Sequence, residues 1–192
     1  MVASSLDATY LTKGERRRES IIKGALELMA QRGVRALTLD AVAKHVGVSK
    51  GGLVHHFANK EALVKEIVSG ATGILHQRME EALRATDADR DVPGRFTRMY
   101  VEVTLAHAGE GYLLPLFELV AANPGRALPL AHHNDWCHQQ LENDGIDPVL
   151  AHIIASAADG LWVEIVFGLE KADSWRVRAM KATVLEMARK RA

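Results

Sequence analysis

Apolar side chains recur at every third or fourth position along almost all of this 192-residue chain, which is the period of an amphipathic α-helix. One such stretch places four apolar residues on a single helical face: Leu39, Val42, Ala43 and Val46. Asp147-Pro148 is a typical helix start and Gly33 a typical helix end. The sequence therefore predicts an all-α fold of about nine helices.

One segment has a mixed pattern. Residues Val101 to Leu105 alternate between apolar and polar, as in a strand. We expect a helix there because the flanking segments are all helical.

Composition limits the class of protein. Apolar residues make up 48% and charged residues 25%, a balance typical of a soluble globular chain. The single cysteine, Cys137, excludes a disulfide framework. The most apolar segment, Pro148 to Leu169, is interrupted by charged side chains, so we expect no membrane span. The single cysteine and the lack of a secretion-signal pattern favour a cytoplasmic location.

The zero net charge conceals an asymmetry. Residues 1–66 carry 11 basic and 7 acidic side chains, and residues 67–192 carry 13 and 17. A basic first third favours an anionic partner for that part of the chain, although chance could produce the same difference.

The segment Thr38–Phe57 has the organisation of a helix-turn-helix. Thr38 and Ser49 are good N-caps for two short helices, and Gly47 interrupts the chain between them. In such a motif the second helix enters the major groove of DNA. Candidate DNA contacts are the two caps, the cation Lys50, the helix-weakening pair Gly51-Gly52, and Lys60 at the next helix start.

The run Val48–Phe57, followed by Asn59–Leu63, resembles the signature of the TetR family of bacterial transcriptional regulators. The resemblance covers about residues 20–67. It implies DNA contacts at Thr38, Lys50, His55 and Lys60, with His56 at the end of the recognition helix. Two positions depart from the family pattern: Val54 replaces a common phosphate-binding tyrosine, and Gly52 replaces a threonine, serine or alanine.

The resemblance also implies a division of the chain. We expect a loose arm over 1–14, a three-helix helix-turn-helix DNA-binding domain over 15–60, and a helical ligand-binding and dimerisation domain over 61–192. The candidate pocket residues of the last domain are bulky side chains with two polar anchors: Phe96, Tyr100, His107, Leu113, Phe117, His133, Trp136 and Trp162. Plain core packing is the alternative for each of them.

The helix from Pro148 to Gly168 is apolar nearly all round, so it should be buried on more than one side. A homodimer interface explains this pattern, and two recognition helices would then contact two half-sites of a palindrome. The candidate interface residues lie on this helix and the last one: Ala155, Ala158, Leu161, Ile165, Met180 and Val184. A central helix of a monomer is the alternative.

No metal or cofactor site is expected. His132, His133 and His138 are close in sequence, but no pair of them has the i, i+3 or i, i+4 spacing of two histidine ligands on one helix face. No nucleophile–base pattern or glycine-rich phosphate loop is present, so we expect no enzyme.

The prediction is a repressor that binds a palindromic operator in double-stranded DNA as a homodimer. A small, largely apolar effector, not identified by the sequence, would release it. The alternative is a DNA-bound interaction protein of the cell-division or nucleoid type, without a small-molecule inducer.

Overall fold

The computed structural model describes residues 12–86 and 91–189. Within these ranges the chain forms nine α-helices and no strand, which confirms the all-α prediction and the helix over residues 101–105. The helices are α1 Lys13–Arg32, α2 Leu39–His45, α3 Lys50–His56, α4 Lys60–Ala85, α5 Arg95–Ala106, α6 Leu113–Ala121, α7 Leu128–Glu142, α8 Pro148–Val166 and α9 Trp175–Met187.

Helix α1 begins at Lys13, within the segment predicted as a loose arm. Thr12 and Glu15 form a capping box: the Thr12 hydroxyl accepts from the Glu15 N–H at 3.2 Å, and the Glu15 carboxylate accepts from the Thr12 N–H at 2.7 Å. Lys13 and Gly14, placed in the predicted arm, are therefore helical. Residues 1–11 of that arm lie outside the described residues.

The chain divides into two compact units. The first contains the described residues to Gln77 together with Gly111–Leu130, and the second contains Arg78–Glu110 and the described residues from Ala131. Segment 111–130, including α6, thus belongs to the first unit, although the sequence-based division placed it within 61–192.

The core of the first unit is built by α1, α2, α3, the first half of α4, and α6. Its fully buried side chains include Ile21, Met29, Leu53 and Phe57. Helices α1 and α2 approach closely at Gly24, where an added Cβ would lie 2.2 Å from Cγ1 of Val46. Only glycine leaves room for this contact.

The core of the second unit lies between α5, α8 and α9 and includes Val101, Ile154, Ala158 and Leu161. The start of α5 is capped by a residue far away in the sequence. The Asp144 carboxylate accepts from the N–H groups of Phe96 and Thr97, both at 2.7 Å, and from the Thr97 hydroxyl at 2.6 Å. The Asp144 carbonyl also accepts from the Gly94 N–H at 2.7 Å.

By length and composition alone, α8 is the one helix in the described ranges that could cross a membrane. Its face carrying Ala151, Ile154 and Ala158 is buried in the protein. A core helix passes the same test of length and composition.

We predict that Gly24→Ala destabilises the protein, because the new methyl group would overlap Val46 in a packed core. Overpacking of this kind costs about 1–3 kcal/mol. Gly73→Ala is the matched control: Gly73 is exposed within α4, and in the part of the chain that the structure describes its added Cβ meets no atom within 4 Å. Alanine there should stabilise the helix by about 0.5–1 kcal/mol. Urea unfolding of both variants measures the difference, and equal midpoints would contradict the tight contact.

Candidate nucleic-acid interface

The turn between α2 and α3 has the geometry of a helix-turn-helix. Gly47 adopts a φ of 68°, in the left-handed region that glycine tolerates best. The Val48 N–H then donates to the Ala43 carbonyl at 2.9 Å, which closes the end of α2. The turn ends at Ser49, whose side chain begins α3.

Helix α3 packs on one side only. Leu53 and the following Phe57 are 0% and 1% exposed, so they anchor the helix in the first core. The Arg18 guanidinium lies over the Phe57 ring, 5.1 Å from its centroid, and pairs with Glu66 at 2.9 Å.

The other side of α3 faces solvent. Its exposed residues are Lys50, Gly51, Gly52, Val54 and His55, and His56 is half-buried. The His55 ring meets the His56 ring edge-on at 5.6 Å. A short helix with a buried face and an exposed polar face is free to enter a groove of DNA.

Thr38 and Ser49 use their side chains to cap helices. The Thr38 hydroxyl accepts from the Ala41 N–H at 3.1 Å, and the Ser49 hydroxyl accepts from the Gly52 N–H at 3.0 Å. Their first role is therefore to define where α2 and α3 begin. Contact of these residues with phosphate stays a prediction.

Lys50 is paired in the free protein. Its ammonium lies 3.0 Å from the Asp40 carboxylate, and both side chains are about two-thirds exposed, at 64% and 67%. Exposed pairs of this kind contribute only about 0–1 kcal/mol. The lysine can therefore exchange Asp40 for a phosphate at small cost.

The start of α4 presents Lys60, which is exposed. The Asn59 side chain caps this helix by accepting from the Ala62 N–H at 2.8 Å. The neighbouring acid, Glu61, is held by Arg126 through two hydrogen bonds of 2.9 and 2.6 Å, and these lower the pKa of Glu61. Arg126 thus compensates the negative charge beside Lys60.

The two glycines of α3 differ in their surroundings. An added Cβ on Gly51 would meet no atom of residues 12–86 and 91–189 within 4 Å, whereas one on Gly52 would lie 3.2 Å from the Ser49 hydroxyl oxygen. No contact among the described residues therefore explains the glycine at position 51.

Four of the eight predicted pocket residues come together in the second unit. The Phe96 ring lies 5.5 Å from the Trp136 ring and 6.3 Å from the Tyr100 ring, and His133 stacks on Trp136 at 6.0 Å. We call this group, Phe96, Tyr100, His133 and Trp136, the aromatic cluster.

Tyr100 of the aromatic cluster forms a polar pair that the sequence did not indicate. The Tyr100 hydroxyl donates to the Asp159 carboxylate at 2.8 Å. Loss of hydration raises the pKa of Tyr100, and the nearby Asp159 charge raises it further. Loss of hydration likewise raises the pKa of Asp159, opposed by the hydrogen bond from Tyr100. Burial raises the pKa of the Cys137 thiol to about 12.

The other four predicted pocket residues do not join this cluster. His107 pairs with Glu110 at 2.9 Å at the end of α5. Trp162 packs against the core of the second unit, while Leu113 and Phe117 belong to α6 in the first unit.

Two surface grooves are lined by other residues. One, of about 440 Å³, lies between α1 and α2 in the first unit and includes Lys23, Glu27 and His45. The other, of about 370 Å³, lies in the second unit and includes Arg95 and Arg98. Neither contains a residue of the aromatic cluster.

The structure changes the choice of interface residues. Ala155, Ala158, Leu161 and Val184 are no more than 8% exposed because other residues of the same chain cover them, so they leave little surface for a partner. Ile165 is half-buried, and Met180 is 37% exposed. The exposed face of α8 is a different one, formed by Val149, Ile153, Ser156, Gly160, Val163 and Phe167. We call these six residues the α8 stripe.

Comparison with known proteins identifies both parts of the chain. Residues 21–67 match the family model of bacterial regulatory proteins of the tetR family, and residues 94–189 match the tetracyclin repressor-like C-terminal domain. The HTH-type transcriptional repressor KstR2 of Mycobacterium tuberculosis is 36% identical over 70 residues, which cover 36% of this chain and 35% of that repressor. The matches to KstR2 proteins span less than half of those relatives' length.

Solved structures show the same fold along most of the chain. SCO7518 of Streptomyces coelicolor A3(2) has a TM-score of 0.68 at 22% identity, covering 91% of this chain and 99% of that one. EbrR, described as a multidrug binding protein and solved with imidazole, has a TM-score of 0.65 at 18% identity, covering 98% and 100%. Because the second family model alone spans residues 94–189, half of the sequence, and the first matches the helix-turn-helix, the chain belongs to the TetR family of bacterial regulatory proteins.

Proposed function

We propose that this protein is a transcriptional repressor that binds a palindromic operator as a homodimer and is released by a small, largely apolar effector. One observation carries the DNA-binding part: α3 is anchored by Leu53 and Phe57 while Lys50, Val54 and His55 face solvent. The similarity to a named repressor, KstR2, supports the direction of regulation. In this proposal the chain acts in the cytoplasm as a binding protein rather than an enzyme.

The proposed DNA contacts are Lys50, His55 and Lys60, with the backbone at Gly51 and Gly52 close to the duplex. Thr38 and Ser49 set the helix starts, and His56 lies at the end of α3. Val54 is 40% exposed on the same face. An apolar side chain there can contact a thymine methyl group but cannot donate to phosphate as a tyrosine would.

The α8 stripe supports the proposed homodimer. Spacings of four and three residues along one helix face are those of a packed helix seam. Val149, Ile153 and Phe167 are 67%, 55% and 49% exposed in the single chain, which is unusual for neighbouring large apolar side chains on one helix. A second copy related by a two-fold axis would bury the same stripe on both protomers.

The effector would bind at the aromatic cluster. Aromatic rings with one hydrogen-bonding pair, here Tyr100 and Asp159, are the usual lining of a small-molecule site. The fold neighbour EbrR, whose structures carry imidazole and other small molecules, supports a ligand-responsive role. By linkage, an effector that weakens operator binding must itself be weakened by operator to the same extent.

Selection of genomic fragments on the purified protein tests the proposed function. We expect one or a few palindromic sites to be enriched, because two equivalent α3 helices would contact two half-sites. Enrichment of many dispersed sites would instead support the DNA-bound interaction protein. Absence of any enrichment at moderate salt, with the protein folded, would overturn the DNA-binding proposal.

We predict that Lys50→Ala reduces the salt dependence of operator binding. Each phosphate contact contributes a slope of about 0.9 in log K against log salt, so the loss of one contact per half-site should lower the slope by about two per dimer. Asp40→Asn should raise the affinity for operator DNA, because Lys50 no longer has to break its ion pair with Asp40 before it contacts a phosphate. Lys171→Ala, an exposed lysine of the second unit, is the control. An unchanged slope for Lys50→Ala would exclude this lysine as a phosphate contact.

We predict that Ile153→Glu converts the dimer into a monomer, because the α8 stripe cannot bury a charge without a partner. Leu128→Glu is the matched control, since Leu128 is equally exposed, at 60% against 55%, but lies in the first unit. Light scattering after size exclusion measures the mass of each variant. A dimeric Ile153→Glu protein, or a monomeric wild type, would contradict the interface.

A further inference from the structure

Three soft or borderline donor atoms meet in the interior of the second unit. The Cys137 Sγ lies 3.8 Å from the Met79 Sδ and 3.6 Å from the His133 Nε2. Cys137 and Met79 are 3% and 2% exposed, and His133 is half-buried. We call Met79, His133 and Cys137 the sulfur–imidazole cluster.

Two helices build this cluster. His133 and Cys137 are one turn apart on α7, at positions i and i+4, and therefore lie on the same face. Met79 comes from α4. The stacking of the His133 ring on Trp136, at 6.0 Å and 24° between planes, holds the imidazole while its Nε2 points to the thiol. The donors are thus held by packing before any ligand binds.

The distances are those of ligands around one metal ion. With metal–sulfur bonds of about 2.3 Å, metal–nitrogen bonds of about 2.0 Å and angles of about 110–120°, donor atoms lie roughly 3.5–4.0 Å apart. Both measured separations, 3.8 and 3.6 Å, fall in this range. Met79 and His133 are therefore each spaced from Cys137 as two ligands of one ion would be.

The donor types select the metal. A thiolate and a thioether favour soft ions such as Cu(I), and an imidazole is acceptable to the same ion. A structural zinc site takes four ligands from cysteine, histidine and carboxylates. The described ranges contain no group of three or more His, Cys, Asp or Glu side chains that could hold a metal, so zinc lacks a ligand set there. The thioether of Met79 is a soft ligand that zinc sites do not use, so it favours Cu(I) over Zn²⁺.

We propose that Met79, His133 and Cys137 form a three-coordinate binding site for Cu(I). Binding replaces the thiol proton: the Cys137 S–H bond breaks, a sulfur–copper bond forms, and one proton is released to solvent. Copper stays in the +1 state, so no oxidant or reductant is needed. The half-buried His133 is the point at which the ion enters.

The electrostatics of the cluster favour a cation over a bare thiolate. Burial and the charge of Asp159 together raise the pKa of the Cys137 thiol to about 12. The same negative charge attracts a bound cation, which also neutralises the thiolate. An ordinary buried contact between a thiol and two neighbours is the competing explanation, and metal binding separates the two.

An anaerobic Cu(I) titration of the full chain against a chromogenic Cu(I) chelator tests the proposal. We expect one Cu(I) per protomer to be taken from the chelator. Cys137→Ser should abolish this binding, and Met79→Leu should weaken it at least tenfold. Met79→Leu conserves volume, so it should fold even where other core changes do not. Circular dichroism checks that each variant is folded.

Two control variants in the same unit remove a methionine and a histidine that lie outside the sulfur–imidazole cluster. Met99→Leu removes another buried methionine, and His132→Gln removes the exposed histidine next to His133. Both should bind Cu(I) as the wild type does. Zn²⁺ at equal concentration should not displace Cu(I).

Three results would overturn the site. Cu(I) retention by Cys137→Ser would place the ion elsewhere. Equal Cu(I) affinity of Met79→Leu and wild type would show that the Met79 thioether is not a ligand. Displacement by equimolar Zn²⁺ would show that the donor set does not select a soft monovalent ion.

Discussion

The packing of α3 through Leu53 and Phe57 is the contact on which the proposed DNA recognition depends. A helix of seven residues is far too short to be stable alone in water. Its position is set by burying these two side chains in the core of the first unit and by the Ser49 cap. Because one face supplies the stability, the opposite face need not pack against the protein. Weakly packing residues such as Gly51 can then be tolerated there.

The helix-turn-helix could be predicted from sequence because its determinants are local. The caps Thr38 and Ser49, the turn glycine Gly47 and the buried Leu53 lie within 20 residues, and each acts through neighbours along the chain. The structure places all of them as the pattern predicts. The Lys50–Asp40 pair spans only ten residues, yet it was missed, because exposed side chains carry no periodic signal.

The sequence could not show which face of α8 is buried in the core and which is exposed. A helix that is apolar nearly all round offers two possible buried faces, and periodicity does not say which one meets its own core. The small residues Ala155 and Ala158 suggested close approach between protomers. Both are instead almost fully buried by other residues of the same chain. The larger Ile153 and Phe167 are the ones left exposed.

Contacts between residues far apart in the sequence could not be predicted either. The Asp144 cap of α5, the Tyr100–Asp159 pair and the Met79–Cys137 contact join positions 47 to 59 residues apart. Local spacing cannot pair such positions. The i, i+4 relation of His133 and Cys137 is visible in the sequence, but a pair of possible ligands on one helix, like His138 and Glu142, is common by chance and does not indicate a site. The missing third donor was a methionine on another helix.

The two proposed ligand sites share a residue, and this constrains how they would work together. His133 stacks on Trp136 in the aromatic cluster and directs its Nε2 to Cys137 in the sulfur–imidazole cluster. A metal ion on Nε2 fixes the tautomer and the orientation of the ring against which an effector would bind. If the effector prefers another ring orientation, each ligand weakens the other. If it prefers this one, each strengthens the other by the same factor, because linkage between two binding sites is reciprocal.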